Sequence, residues 1–292
     1  MKPPPFKYVS VASVAEAVSA LAAGAGEAKL LAGGQSLVPM LNFRLLAPEF
    51  LVDINRIPGL DAIREVPDGG LRIGALARHH ALETSALVAE RFPVLAAAMR
   101  HVAHLAVRNR GSIGGSLAHG DPAAELPLLA LLLGARITAV GIDGNRQIDA
   151  TDFFEGALTT ALTETEVVTE ITLPALPPGT GWGFEEVARR SGDFALAAVA
   201  ATLTRAGEAV GEARLAVTGA GETPLRIITA ENLLKGKVPD PEAIESAATL
   251  ARDSVQPNDD LHASADYRRH LVGVLSQRAL NTAWRRATGA SP

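Results

Sequence analysis

The chain has 292 residues, 48% of them hydrophobic, 20% charged and 4% aromatic, with a net charge of −5 and no cysteine. That length suits about two domains of roughly 100–200 residues each, enough to bury a core without staples. The missing cysteines exclude disulfides, thiolate zinc sites, protein-held iron–sulfur clusters and cysteine nucleophiles in this chain, and the acidic balance with few aromatics argues against nucleic acid as a partner.

Taken in order, Ser13-Val14-Ala15-Glu16 is a capping box that predicts a helix ending near Gly24. Lys29-Leu30-Leu31 reads as a short buried strand, Leu37 to Leu45 as a helix and Phe50 to Ile54 as another strand. Residues 62–66 and 71–74 flank Pro67-Asp68-Gly69-Gly70, a hairpin with strong turn chemistry. Helices are expected near 80–90 and 94–105, a polar glycine-rich loop from Arg108 to Asp121, and a helix from Ala123 to Leu133. Strands follow at 136–142, up to about 148, and at 167–173.

Pro174 to Gly181 is the clearest linker in the chain. Beyond it come strands at 182–189, 195–205 and 210–218, then helices near 229–235, 240–251 and 265–288, an α+β layout. The start Met1-Lys2-Pro3-Pro4-Pro5-Phe6 has no apolar leader, and no run reaches the ~18 apolar residues of a membrane span, so a cytoplasmic protein is expected.

Two segments carry the chemistry. Ala32-Gly33-Gly34-Gln35-Ser36 follows a strand and opens a helix, so its N–H groups can converge on an anion and Ser36 can cap the helix; a plain strand–helix turn is the bland alternative. Asn109-Arg110-Gly111-Ser112-Ile113-Gly114-Gly115-Ser116 offers a second such nest, with the same alternative. The two echo each other loosely, and together they suit a diphosphate between them. Neither matches G-x-G-x-x-G, and no P-loop occurs, because Gly236-Lys237 is followed by Val238.

In His119-Gly120-Asp121-Pro122-Ala123-Ala124-Glu125, Asp121 or Ala123 can cap the next helix, and Glu125 suits its first turn. Glu125 can alternatively accept hydrogen bonds from cofactor hydroxyls. His101 and His104 are placed i, i+3 on a helix with no third metal ligand, so no metal site is expected. The arginine pairs at 189–190, 268–269 and 285–286 read as solvated faces.

These residues carry a resemblance. Ala32 to Leu37, Arg108 to Ser116, Asp121-Pro122-Ala123-Ala124-Glu125-Leu126-Pro127 and Phe184 to Ala195 resemble the FAD-binding medium subunit of molybdenum hydroxylases, the carbon monoxide dehydrogenase and xanthine dehydrogenase type. The resemblance runs along nearly the whole chain. It implies an α+β fold: a two-subdomain FAD-binding domain of the PCMH/vanillyl-alcohol-oxidase-like type over 1–176 (subdomains about 1–57 and 58–176), then a C-terminal α+β domain over 180–288 with an antiparallel sheet and helices.

It further implies that non-covalent FAD is held by Ala32, Gly33, Gly34, Gln35, Ser36, Leu37, Ser112, Ile113, Gly114, Gly115, Ser116, Asp121, Glu125 and Val168. Ile113 and Val168 would flank the flavin ring, and Glu125 would take ribityl or ring-edge groups. Molybdenum–pterin and [2Fe–2S] clusters would lie only in a large and a small partner subunit, in a dimer of heterotrimers. The chain departs from that family in Ser112 for Thr, Ala106 for Gln and Glu186 for Lys. Two other classes stay open: a self-contained flavoprotein dehydrogenase or oxidase, for which His119 is the nearby base, and an assembly subunit without flavin.

Overall fold

The computed structural model describes residues 2–289. Its first part holds β1 (Lys7–Ser10), α1 (Val14–Ala23), β2 (Ala28–Leu31), α2 (Leu37–Asn42) and β3 (Phe50–Asp53). The strands form a three-stranded parallel sheet in the order β1-β3-β2, with Leu31 beside Asp53. The capping box starts α1: Ser13 Oγ accepts from the Glu16 N–H at 3.2 Å, and Glu16 Oε2 accepts from the Ala12 N–H at 2.9 Å. The expected helix over 37–45 stops at Asn42, since Arg44 turns into the left-handed region at φ 57°.

The second part runs β4 (Ile63–Glu65), β5 (Leu71–Gly74), α3 (His79–Thr84), α4 (Ala86–Arg91), α5 (Pro93–Ala98), α6 (Leu105–Arg108), α7 (Ile113–His119), α8 (Glu125–Leu133), β6 (Arg136–Gly141), β7 (Gly144–Asp149), α9 (Ala150–Phe153), β8 (Phe154–Gly156), β9 (Thr159–Thr160) and β10 (Val167–Leu173). Its main sheet is β4-β5-β10-β6-β7, antiparallel, and β8 pairs with β9. Three expectations are corrected here. The helix over 80–90 is two helices, because Ser85 takes extended backbone and caps α4 by accepting from the Val88 N–H. The helix over 94–105 ends at Ala98, so His101 and His104 are not on one helix face. The segment 108–121 is mostly helical, with α7 inside it.

The third part holds β11 (Thr180–Ala188), β12 (Ala195–Ala206), β13 (Ala209–Thr218), β14 (Leu225–Arg226), α10 (Ile228–Leu234), α11 (Pro241–Ser254) and α12 (Ala265–Thr288). The strands form an antiparallel sheet in sequence order. α12 crosses it closely: a side chain on Gly181 or Gly183 would overlap the backbone of Ala283 or Ala279.

β12 is buried on both faces. Leu196, Val199 and Leu203 pack toward α11 and α12. Ala195, Ala198 and Ala200, with Ala216 of β13, join the core built on α8. Every residue of α8 is buried, as expected for a helix apolar all round. The Pro122 carbonyl accepts from Thr218 Oγ1 at 2.7 Å and from the Gly219 N–H at 2.8 Å, tying the turn before α8 to the last part. Not all the arginine pairs are solvated. Arg268 is buried and donates to the Leu196 and Gly219 carbonyls at 2.6 and 2.8 Å, and Arg286 lies over the Trp182 ring at 3.5 Å. None of the described helices is long and apolar enough to cross a membrane.

Candidate functional site

β2 and β3 lie side by side and parallel, so their carboxyl ends point the same way. Such ends are where open parallel sheets place ligands. The chain leaving β2 is Ala32-Gly33-Gly34-Gln35-Ser36, and the chain leaving β3 carries Asn55. The backbone N–H groups from Gly33 to Leu37 donate to no acceptor in the described chain. Gly34 sits at φ 73°, which glycine adopts without strain. Ser36 does not cap α2, contrary to expectation: its own backbone is helical and its side chain makes no cap bond. Five successive donors are thus free, and the Ser36 hydroxyl is not used as a cap.

The second glycine segment lies directly against the first. A side chain on Gly33 would overlap the Arg110 carbonyl oxygen and come within 3.0 Å of Gly111 Cα. Two side chains fasten the contact. Asn55 Nδ2 donates to the Ala32 carbonyl at 2.9 Å, and its Oδ1 accepts from Arg78 Nη2 at 2.6 Å. Arg78 Nη1 donates to the Arg110 carbonyl at 2.7 Å. Burial first and the neighbouring Arg110 charge second lower the Arg78 pKa, against the opposing pull of Asp61 and Asp53, so Arg78 is a partly buried cation beside the two segments.

The second segment differs from the nest expected of it. The Ile113 N–H donates to Ala77, Gly114 to Ala75, Gly115 to Ser112 Oγ and Ser116 to the Ser112 carbonyl. These donors are spent inside the protein, and Ser112 is a true N-cap of α7. Neither Gly114 nor Gly115 has positive φ. Gly114 is glycine because a side chain would come within 2.5 Å of Ala75 Cβ, whereas the exposed Gly115 would meet only Ser112 Oγ. The Ala75 N–H in turn donates to Thr169, at the bulge after Val168. So Ile113 and Val168 enter one core, next to the segment that faces Gly33.

Asp121 does not cap α8; the cap position is Ala124, and Asp121 Oδ1 instead accepts from the Ala123 N–H at 2.9 Å. Glu125 is buried in the first turn, and burial pushes its carboxyl up to about 7, with Asp121 adding to the shift. On β11, which packs against α5, the Glu186 side chain is 4% exposed. Burial first and the Glu125 charge second push Glu186 up to about 8. Its Oε2 has no hydrogen-bond partner. His101 Nδ1 stands 3.9 Å from Glu186 Oε1, with its ring tilted against Phe184 at 5.0 Å. His119 ends α7, half-buried. Among the described residues no group of three or more His, Asp or Glu is placed to hold a metal ion.

Residues 4–176 match the family described as the FAD binding domain in molybdopterin dehydrogenase, and residues 182–283 match the C-terminal domain of carbon monoxide dehydrogenase flavoproteins. The chain belongs to the FAD-binding medium subunits of molybdenum hydroxylases. It is 43% identical to the 6-hydroxypseudooxynicotine dehydrogenase complex subunit alpha of Paenarthrobacter nicotinovorans, over 98% of this chain and 97% of that protein. It is 42% identical to the carbon monoxide dehydrogenase medium chain of Hydrogenophaga pseudoflava, over 98% and 99%. A solved carbon monoxide dehydrogenase from that organism, lacking the Mo-pyranopterin moiety, superposes with a TM-score of 0.96 at 43% identity, over 98% and 99% of the chains. This flavoprotein subunit is therefore a component of an oxidoreductase, and its relatives are subunits of multi-subunit complexes.

Sequence reasoning missed Asn55, Arg78, His79 and His101 as neighbours of the site. Asn55 was legible in principle, since a polar residue just past a parallel strand end marks a ligand-facing position. Arg78 carries no local signal. His79 lies buried under Gly111 with neither ring nitrogen hydrogen-bonded, and burial lowers its pKa to about 4.

Proposed function

We propose that non-covalent FAD sits across the two glycine segments of this flavoprotein subunit, its diphosphate on the free N–H groups of Gly33 to Leu37. That row of unspent donors beside Arg78 carries the reading. The residues present fit an anion: a run of donors, a glycine at positive φ and a partly buried cation. Ala32, Gly33, Gly34, Gln35, Ser36 and Leu37 form the diphosphate cradle. Ser112, Gly115 and Ser116 offer hydroxyls and open backbone surface, and Gly114 lets α7 sit close beneath. Ile113 and Val168 flank the ring, Asp121 shapes the turn, and Glu125 takes the ribityl or ring-edge groups. The reading divides the chain into 1–176, with subdomains about 1–57 and 58–176, then 180–288.

The chemistry that FAD supplies when bound is passage of electrons from iron–sulfur clusters to an external acceptor. What the chain itself does is hold, orient and tune. The reading places molybdenum–pterin in a large partner subunit and [2Fe–2S] clusters in a small one, the whole a dimer of heterotrimers in the cytoplasm, with no nucleic acid. The test is purification of the native complex and cofactor analysis. Heat is expected to release FAD, and molybdenum and iron to copurify only with the partner chains. A chain that turns over a small alcohol or acid without partners, or one that stays colourless after FAD addition, would overturn it.

A further inference from the structure

The seam between α5 and β11 holds a group that the diphosphate cradle does not explain. Along β11, Trp182 and Phe184 point to the core that contains Ile113 and Val168, while Gly181 and Gly183 face α12. Glu186 continues the Trp182–Phe184 alternation. Its carboxyl therefore points into the seam, almost completely shielded from water, with Oε2 unpartnered. A buried carboxyl without a donor is costly as an anion, and an orphaned oxygen there calls for a function.

The groups that face it are few. From the turn between α5 and α6 comes His101, with Nδ1 3.9 Å from Glu186 Oε1 and 43% of its side chain exposed. From the start of α8 comes Glu125, whose charge acts on Glu186, with Asp121 acting on Glu125 in turn. Among the ion pairs of the described residues, Glu186 is paired with His101 and with no arginine or lysine. The three side chains form a graded series from half-exposed imidazole to buried acid to buried acid.

We propose that His101, Glu186 and Glu125 form a proton conduit from solvent to the flavin. The inference rests on the reading that Glu125 lines the flavin site. As two electrons reach the flavin from the reduced iron–sulfur donor, Glu186 gives one proton toward a ring nitrogen, directly or through Glu125. An O–H bond breaks, an N–H bond forms, and the reduced ring keeps one negative charge. The Glu186 carboxylate then takes a proton from one ring nitrogen of His101 as the other ring nitrogen accepts one from water, so the imidazole returns to its neutral form. When two electrons leave to the external acceptor, the proton returns by the same route. Burial holds Glu186 protonated at neutral pH and keeps His101 largely neutral, so the acid is loaded and the imidazole is free to shuttle.

The experiment is reduced-minus-oxidised infrared difference spectroscopy on the intact flavin-loaded complex, with E186Q and H101A beside the parent. The parent should show a protonated-carboxyl band that shifts in heavy water and disappears in E186Q. H101A, altered at a half-exposed position, should keep the band but slow flavin reduction in stopped flow by tenfold or more, the scale of a lost acid–base group being about 10²–10⁴-fold. Added imidazole should restore the rate. An unchanged band in E186Q, or an unslowed H101A, overturns the conduit. Loss of flavin from E186Q alone would show that Glu186 holds the cofactor and would also overturn it. A parent complex without FAD would instead overturn the flavin site itself.

Discussion

The two glycine pairs, Gly33-Gly34 and Gly114-Gly115, look alike in sequence, each followed closely by Ser and Leu, yet they solve different problems. At the first pair the backbone donors are free, one glycine is left-handed and the serine does not cap. At the second pair the donors are used, both glycines are helical and the serine before them caps. One pair opens a surface to a ligand. The other lets a helix settle against Ala75, so that the first pair has something to lean on. A glycine that admits a ligand and a glycine that admits a neighbour leave the same letter in the sequence.

Variants can break this contrast. Gly33→Val is expected to act most strongly, because the new side chain meets the Arg110 backbone, which has no flexible end to yield. About 3 kcal/mol of overpacking should part the two segments and strip the flavin, read as the flavin-to-protein absorbance ratio. Gly114→Ala should cost about 2 kcal/mol of stability in the flavin-free chain as well, since its conflict is with Ala75; urea unfolding without FAD would show it. Arg78→Lys keeps a charge but loses the bridge from Asn55 to Arg110. A loss of about 1.5 kcal/mol, typical of a hydrogen bond to a charged group, should appear as weaker FAD retention in equilibrium titration.

The smallest effect separates the serines. Ser112→Ala removes a working cap, worth about 1 kcal/mol, and should lower the midpoint of unfolding. Ser36→Ala removes none and should leave the flavin-free midpoint where it is, while loosening the flavin. Equal effects of the two on flavin-free stability would erase the distinction between the segments.

Much of the fold was readable because its signals are local. The capping box at Ser13, the hairpin turn at 67–70 and the α12 span of 265–288 each follow from a few adjacent residues. What was not readable depends on distant partners. β1 has all four residues exposed, so no alternation marks it, and it is a strand only because β3 lies beside it. α7 was hidden by a glycine pair that normally breaks helices, of which Gly114 is needed because Ala75 leaves no room for a side chain. Arg268 looks like any surface arginine until the carbonyls of Leu196 and Gly219 turn toward it. At the site, the glycines announced themselves, but the pieces that fasten them, Asn55 and Arg78, are joined only in three dimensions.

The alanine face of β12 bears on how the chain comes apart. A proline-rich connector such as 174–178 ordinarily marks a place where a protein can be divided. Here Ala195, Ala198 and Ala200 wall one side of α8, and Thr218 and Gly219 grip the turn before it. A fragment ending at residue 176 would leave leucines of α8 facing water, each carrying about 1.5–3 kcal/mol of burial. The two parts should therefore melt together, as a single calorimetric peak. The connector is a bend in one cooperative body rather than a hinge between two.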